Sequence, residues 1–149
     1  MATTLTSQAG QTVLLATFFV REALCALDAA GIQEVIRLGP LTPVRHAPAD
    51  VAGIINLRGK IVTILDLGLR LGFAKAVPGG DSRIFIIEDR NEFVGLLVDE
   101  VVEAERDQWQ APPANVRAGQ GRFFQGVYRT GGRAITVLDP GAILAEGMQ

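Results

Sequence analysis

The first candidates for acid–base or nucleophilic chemistry in this chain are His46 and Cys25, its one histidine and one cysteine. His46 stands between Arg45 and Ala47 in a proline-rich stretch, without the positioned partner that a general base requires. Cys25 lies among apolar residues of a strand-like run and reads as a small buried hydrophobe rather than a nucleophile. The acids between Asp99 and Asp107 have no histidine or cysteine beside them with which to build a metal site, and read as a solvated face. Gly79-Gly80 and Gly131-Gly132 match neither a phosphate loop nor a dinucleotide fingerprint. The expectation is therefore no catalytic, cofactor-binding or metal-binding residue, and no enzyme.

The remaining candidate is an arginine at the tip of a turn. Residues 53–55 read as the end of one strand, Asn56-Leu57-Arg58-Gly59 turns the chain, and residues 61–65 are apolar and β-branched enough for a mostly buried strand. Asp66 then suits an N-cap, its carboxylate accepting from the free amides of a short helix. Arg58 is either an incidental solvated side chain or one chosen for its fork of donors. Glu34, in the half-buried strand of residues 32–36, is either that strand's polar face or a partner for such a fork.

The elements around Arg58 occur twice. Gly53, Gly59, Thr63, Leu65, Asp66, Gly68 and Leu71 recur as Gly126, Gly132, Thr136, Leu138, Asp139, Gly141 and Leu144, 73 residues later and without a gap. This is the mark of an internal duplication, and it sets Arg58 against Gly131. The rest of the chain follows the same plan. Residues 13–20 and 24–27 read as a hairpin around Arg21-Glu22, residues 28–31 as a turn, and 38–50, with Pro40, Pro43 and Pro48, as an irregular connection. In the second half, residues 84–87 and 93–98 form the hairpin, 105–122 the connection, and 123–129 with 133–138 a hairpin around Thr130-Gly131-Gly132. Asp139-Pro140 opens a last helix, with Pro140 at the first helical position.

Each half thus supplies about five strands and a short helix, enough for a small barrel that hides its sheet edges. The expected architecture is all-β: two five-stranded barrels related by duplication, at about 11–72 and 82–145. They lie within one domain spanning 11–145, with residues 1–10 and 146–149 as flexible tails and a binding groove at the junction. A chain of 149 residues buries about 68–70% of its unfolded surface, so neither metal nor disulfide is needed to hold it.

Charge and composition exclude several partners. The net charge of −2 leaves no nucleic-acid footprint on the whole molecule. Residues 36–80 nevertheless carry +4 and residues 81–110 carry −6, which are either two solvated faces or opposite fields for different partners. The apolar run at 12–20 lacks a basic flank and falls short of the about 20 residues that span a bilayer, so no membrane insertion is expected. A single cysteine suits a reducing compartment, and the cytoplasm is the expected location.

The stretch Gly53-Ile54-Ile55-Asn56-Leu57-Arg58-Gly59, continuing through Asp66-Leu67, resembles the CheW-like chemotaxis coupling family. Ile32-Gln33-Glu34-Val35, the run from Val94 to Val101, and Phe124-Gln125-Gly126-Val127 with Leu138-Asp139 resemble further segments of it, so that the likeness covers about 14–144. The resemblance implies two five-stranded SH3-like barrels. It also implies a non-enzymatic adaptor that joins the cytoplasmic tips of chemoreceptors to the regulatory domain of a histidine kinase. Glu34 and Arg58 are similar to the family's acid–base pair, and the partner-binding set so implied is Ile32, Glu34, Val35, Asn56, Leu57, Arg58, Gly59, Ile61, Val98 and Val101. Thr63 stands where the family often has proline, Gly68 where an arginine often follows Asp-Leu, and the loop 73–82 is short. These departures leave chemotaxis and twitching or surface signalling both open. The alternatives are a same-fold scaffold in a non-chemotaxis two-component pathway and an SH3-like barrel binding nucleic acid. One Trp and one Tyr offer the latter few stacking platforms.

Overall fold

A computed structural model describes residues 2–6, 12–102, 109–110, 124–130 and 133–147. The chain begins with strands β1 (Ala2–Thr6), β2 (Thr12–Val20) and β3 (Ala23–Asp28), a 3₁₀ turn (Ala29–Gly31) and β4 (Ile32–Arg37). Then come β5 (Val51–Leu57), β6 (Lys60–Asp66) and the short helix α1 (Leu67–Arg70). The second half runs β7 (Arg83–Asp89), β8 (Glu92–Val98), β9 (Glu100–Val102), β10 (Trp109–Gln110), β11 (Phe124–Thr130), β12 (Arg133–Leu138) and α2 (Pro140–Gly147). Both helices start where their sequences say they should. Asp66 accepts from the amide of Leu69 at 3.2 Å, and Asp139 accepts from Gly141 at 3.0 Å, one residue ahead of Pro140.

Two sheets result, a five-stranded one in the order β4-β7-β8-β6-β5 and a seven-stranded one in the order β1-β2-β3-β12-β11-β10, with β9 also on β2. The duplication is visible in their pairing. Gly53 faces Ile64 and Gly126 faces Val137, each just after a bulge. The parallel pair Thr63–Val94 of β6 and β8 recurs as Thr136–Cys25 of β12 and β3. The edge pair Ile32–Ile87 recurs as Val101–Phe18. The five-strand plan is therefore present twice, with β1 and β10 added to one copy.

The sheets do not coincide with the stretches 11–72 and 82–145. β7 and β8 complete the sheet of β4, β5 and β6, while β2 and β3 complete that of β9, β11 and β12. The leading hairpin of each half is exchanged into the other sheet, because a parallel pair needs a long crossover and here takes its partner from the other copy. The first tail also departs from expectation: residues 2–6 form a strand on residues 12–16, where a Thr-rich segment suits an edge. At the other end α2 runs through Gly147, past the expected boundary.

Alternation along the strands divides the apolar side chains between faces. Ile84 and Ile86 point into a cluster with Val62, Ile64 and Leu97, inside the five-stranded sheet. Phe85 and Ile87 point the other way, into a central cluster that also takes Phe18, Val20 and Leu27 from the other sheet. Phe18 and Phe85 meet edge to face there, ring centres 5.0 Å apart. Among the described residues this core, rather than an open groove, fills the junction between the sheets. Closure of the smaller sheet comes from the segment after β4: Thr42 exchanges two backbone hydrogen bonds with Ile54 of β5, of 3.0 and 2.9 Å.

Thr17 breaks the apolar pattern. It is buried, and its hydroxyl finds no hydrogen-bond partner among the described residues. Register makes it the counterpart of Ile86, since Thr17 faces Ala26 as Ile86 faces Gly95. Thr17→Val should therefore stabilise the fold by about 1 kcal/mol, by removing an unpaid desolvation penalty. Thermal unfolding checks this: the midpoint should rise by about 2–4 °C, and a fall would show that the hydroxyl is satisfied.

Candidate functional site

Arg58 and Gly59 form the two-residue loop between β5 and β6, with φ of 50° and 87°. Positive φ at both positions is the geometry whose twist matches that of the flanking strands, and it favours glycine or asparagine over arginine. Asn56 secures the loop, its Oδ1 accepting from the amide of Gly59 at 2.8 Å. The sequence places an arginine in a conformation that arginine seldom takes, and such outliers collect at functional sites.

The side chain reaches across the barrel. Nη2 of Arg58 is hydrogen-bonded to Oε1 of Glu34, and Nη1 lies 3.4 Å from Oε2, so fork meets fork. Glu34 belongs to β4 and Arg58 to the β5–β6 turn, at opposite ends of the strand order, so the pair spans the seam where the sheet curls on itself. The hydrogen bond from Arg58 holds the Glu34 carboxyl below its usual pKa, and the carboxylate raises that of Arg58. Because the carboxyl pKa is depressed, the pair is intact at neutral pH and is lost only as the pH falls through that lowered value. The pair stays wet, with the arginine side chain 70% exposed and the glutamate 32%.

Ile61, two residues beyond the turn, is 64% exposed and is the apolar counterpart of the pair. Beside it runs a groove of about 320 Å³ lined by Lys60, Thr63, Asn91, Glu92, Phe93 and Val94. Lys60 Nζ sits over the Phe93 ring, 4.8 Å from its centre. Lys60 and Phe93 escaped the sequence reading because the parallel pairing of β6 with β8 brings them together, and no local pattern announces it.

The other expected contact residues divide between surface and core. Leu57 is half-buried over the cluster inside the barrel. Ile32, Val35 and Val101 are half-buried against the central cluster. A bulge at Gln33 turns Ile32 and Val35 to that side and leaves Glu34 free to meet Arg58. Val98 requires a correction. It is fully buried in the central core, where alternation along β8 puts it beside Leu96 and Val94, and it offers no surface to a partner.

His46 lies in an exposed loop with φ of 62°. Cys25 is buried, which pushes its thiol up to about 12 and leaves it inert at neutral pH. No group of three His, Cys, Asp or Glu side chains among the described residues could hold a metal ion, and no helix there is long and apolar enough to cross a membrane.

Comparison with known proteins shows the family to which the fold belongs. A family model, the CheW-like domain, matches residues 15–148. Chemotaxis protein CheW of Rhizobium meliloti is 33% identical over 129 residues, covering 84% of this chain and 83% of that protein. The protein of the same name from Thermotoga maritima is 33% identical over 131 residues, covering 87% and 86%. Among solved structures, scaffolding protein TtCheW from Thermoanaerobacter tengcongensis matches with a TM-score of 0.74 and 33% identity, over 84% of this chain and 87% of that one.

Proposed function

Because the chain belongs to the CheW-like family of chemotaxis coupling scaffolds, we propose that it holds a chemoreceptor's cytoplasmic tip and a histidine kinase's regulatory domain on one body. In this reading it acts in the cytoplasm, without catalysis and without a cofactor. Two binding sites on one rigid scaffold turn the second encounter into a local one, at high effective concentration.

The observation that carries the reading is the exposed Glu34–Arg58 pair on a strained turn beside Ile61. Pairing orients the guanidinium before a partner arrives, and preorganisation lowers the cost of binding. Ile61 and Leu57 supply apolar area, Asn56 and Gly59 hold the turn in shape, and Ile32 and Val35 support the surface from the core side. Affinity capture with tagged protein, from source-organism extract that includes membranes, tests the proposal. Both a histidine kinase and a chemoreceptor should be retained; recovery of neither would overturn the coupling role.

A further inference from the structure

Arg21 has no part in the surface around Arg58, yet its guanidinium is held by three chain segments at once. Nη1 donates to both carboxylate oxygens of Asp99, at 2.8 and 3.0 Å, and Nη2 to Oδ1 of Asp66 at 3.0 Å. Nε and Nη2 donate to the carbonyl of Ala74 at 3.0 and 2.6 Å, and the backbone amide of Arg21 donates to Asp99 as well. Arg21 sits in the β2–β3 turn of the seven-stranded sheet. Asp66 ends β6 and Ala74 follows α1, both attached to the five-stranded sheet, while Asp99 joins β8 of that sheet to β9 of the other. One side chain therefore stitches the turn of one sheet to the helix end of the other.

Two further observations mark this contact as specific. A Cβ on Gly68 would lie 2.7 Å from the guanidinium carbon of Arg21, so the clamp fits only because residue 68 is glycine. The register-equivalent turn of β7 and β8 also opens with an arginine at positive φ, Arg90 at 53° against 55° for Arg21. Arg90 is exposed and makes no hydrogen bond among the described residues. Duplication explains an arginine in the turn but not the clamp, which among the described residues one copy alone has built.

We infer that Arg21 is a positioning residue of the scaffold: it locks the β2–β3 turn of one barrel against the α1 end of the other and so fixes their relative orientation. The inference rests on the coupling role proposed above, since a scaffold gains from a fixed angle between its barrels only if two partners must be held together. Nη1 on Asp99, Nη2 on Asp66 and Nε on the Ala74 carbonyl engage all three guanidinium nitrogens at once, which needs the planar fork, so Lys cannot replace it.

Spin labels at Ile61→Cys and Ala134→Cys, exposed positions on different sheets, report the orientation in the free protein, and buried Cys25 stays unlabelled. The distance distribution should be narrow in the parent and broad in Arg21→Ala. It should be equally broad in Gly68→Ala, which displaces the guanidinium without removing a charge, and Arg21→Lys should not narrow it again. In the unlabelled proteins, the kinase regulatory domain and the receptor fragment should each bind singly within about twofold of wild type, while the ternary complex weakens by about tenfold or more. Unchanged distributions in both variants would overturn the inference. So would a broadened distribution with an intact ternary complex, or loss of single-partner binding in step with the ternary complex. If wild type binds neither partner, the coupling role falls, and the distances still decide whether Arg21 fixes the barrels.

Discussion

Phe85→Ala is expected to destabilise the protein by about 3–5 kcal/mol and to lower its melting temperature by roughly 10 °C. Phe85 is fully buried at the point where the two sheets meet, against Phe18 of the other sheet. Truncation removes the transfer free energy of the ring, the edge-to-face contact and the filling of the space between the sheets. Those walls belong to strands exchanged between the two halves, so collapse onto the void would have to move both sheets. The loss is a large part of the about 5–15 kcal/mol that a domain of this kind commands. Val77→Ala, at a position 92% exposed, is the control and should leave the midpoint unchanged. A Phe85→Ala shift no larger than that of the control would contradict the shared core.

Arg58→Gly should separate stability from function. Glycine relieves the positive-φ conformation that arginine tolerates poorly, so the melting temperature should hold or rise slightly. Joint binding of kinase and receptor should nevertheless fall by about tenfold or more, because Glu34 would enter the partner interface without its counter-charge. Arg58→Glu should weaken it further, by placing a like charge opposite Glu34. Thermal unfolding together with a binding titration reads both quantities. A fall in midpoint with intact binding would make Arg58 a structural residue.

What could be read from the sequence was local. The carboxylate of Asp66 before a helix, Pro140 at a first helical position and the hairpin turns all act within a few residues, and the repeat set Gly53 on Gly126, where the structure has a bulge before each. Glu34 and Arg58 were legible as a pair through the family resemblance, whereas their residue types alone left two readings open. The exchange of hairpins was hidden because a repeat says which elements are equivalent, not whose copy they pair with. The same blindness hid the Arg21 clamp. Asp99 read as one more acid of a solvated face, and only the fold brings it to Arg21. Gly68 read as a departure from the family pattern, and its reason is the guanidinium that arrives from the other sheet. Val98 read as part of a contact surface through the family resemblance, whereas β8 is buried on both of its faces from Val94 to Val98.

Co-sedimentation of the kinase regulatory domain with receptor-bearing membranes, with and without the wild-type protein, bears most directly on the coupling role. The kinase domain should pellet only when the adaptor is present, and Arg58→Gly, though folded, should leave most of it in the supernatant. Pelleting that is independent of the adaptor, or a kinase domain that stays in solution when the adaptor saturates the membranes, would contradict the role.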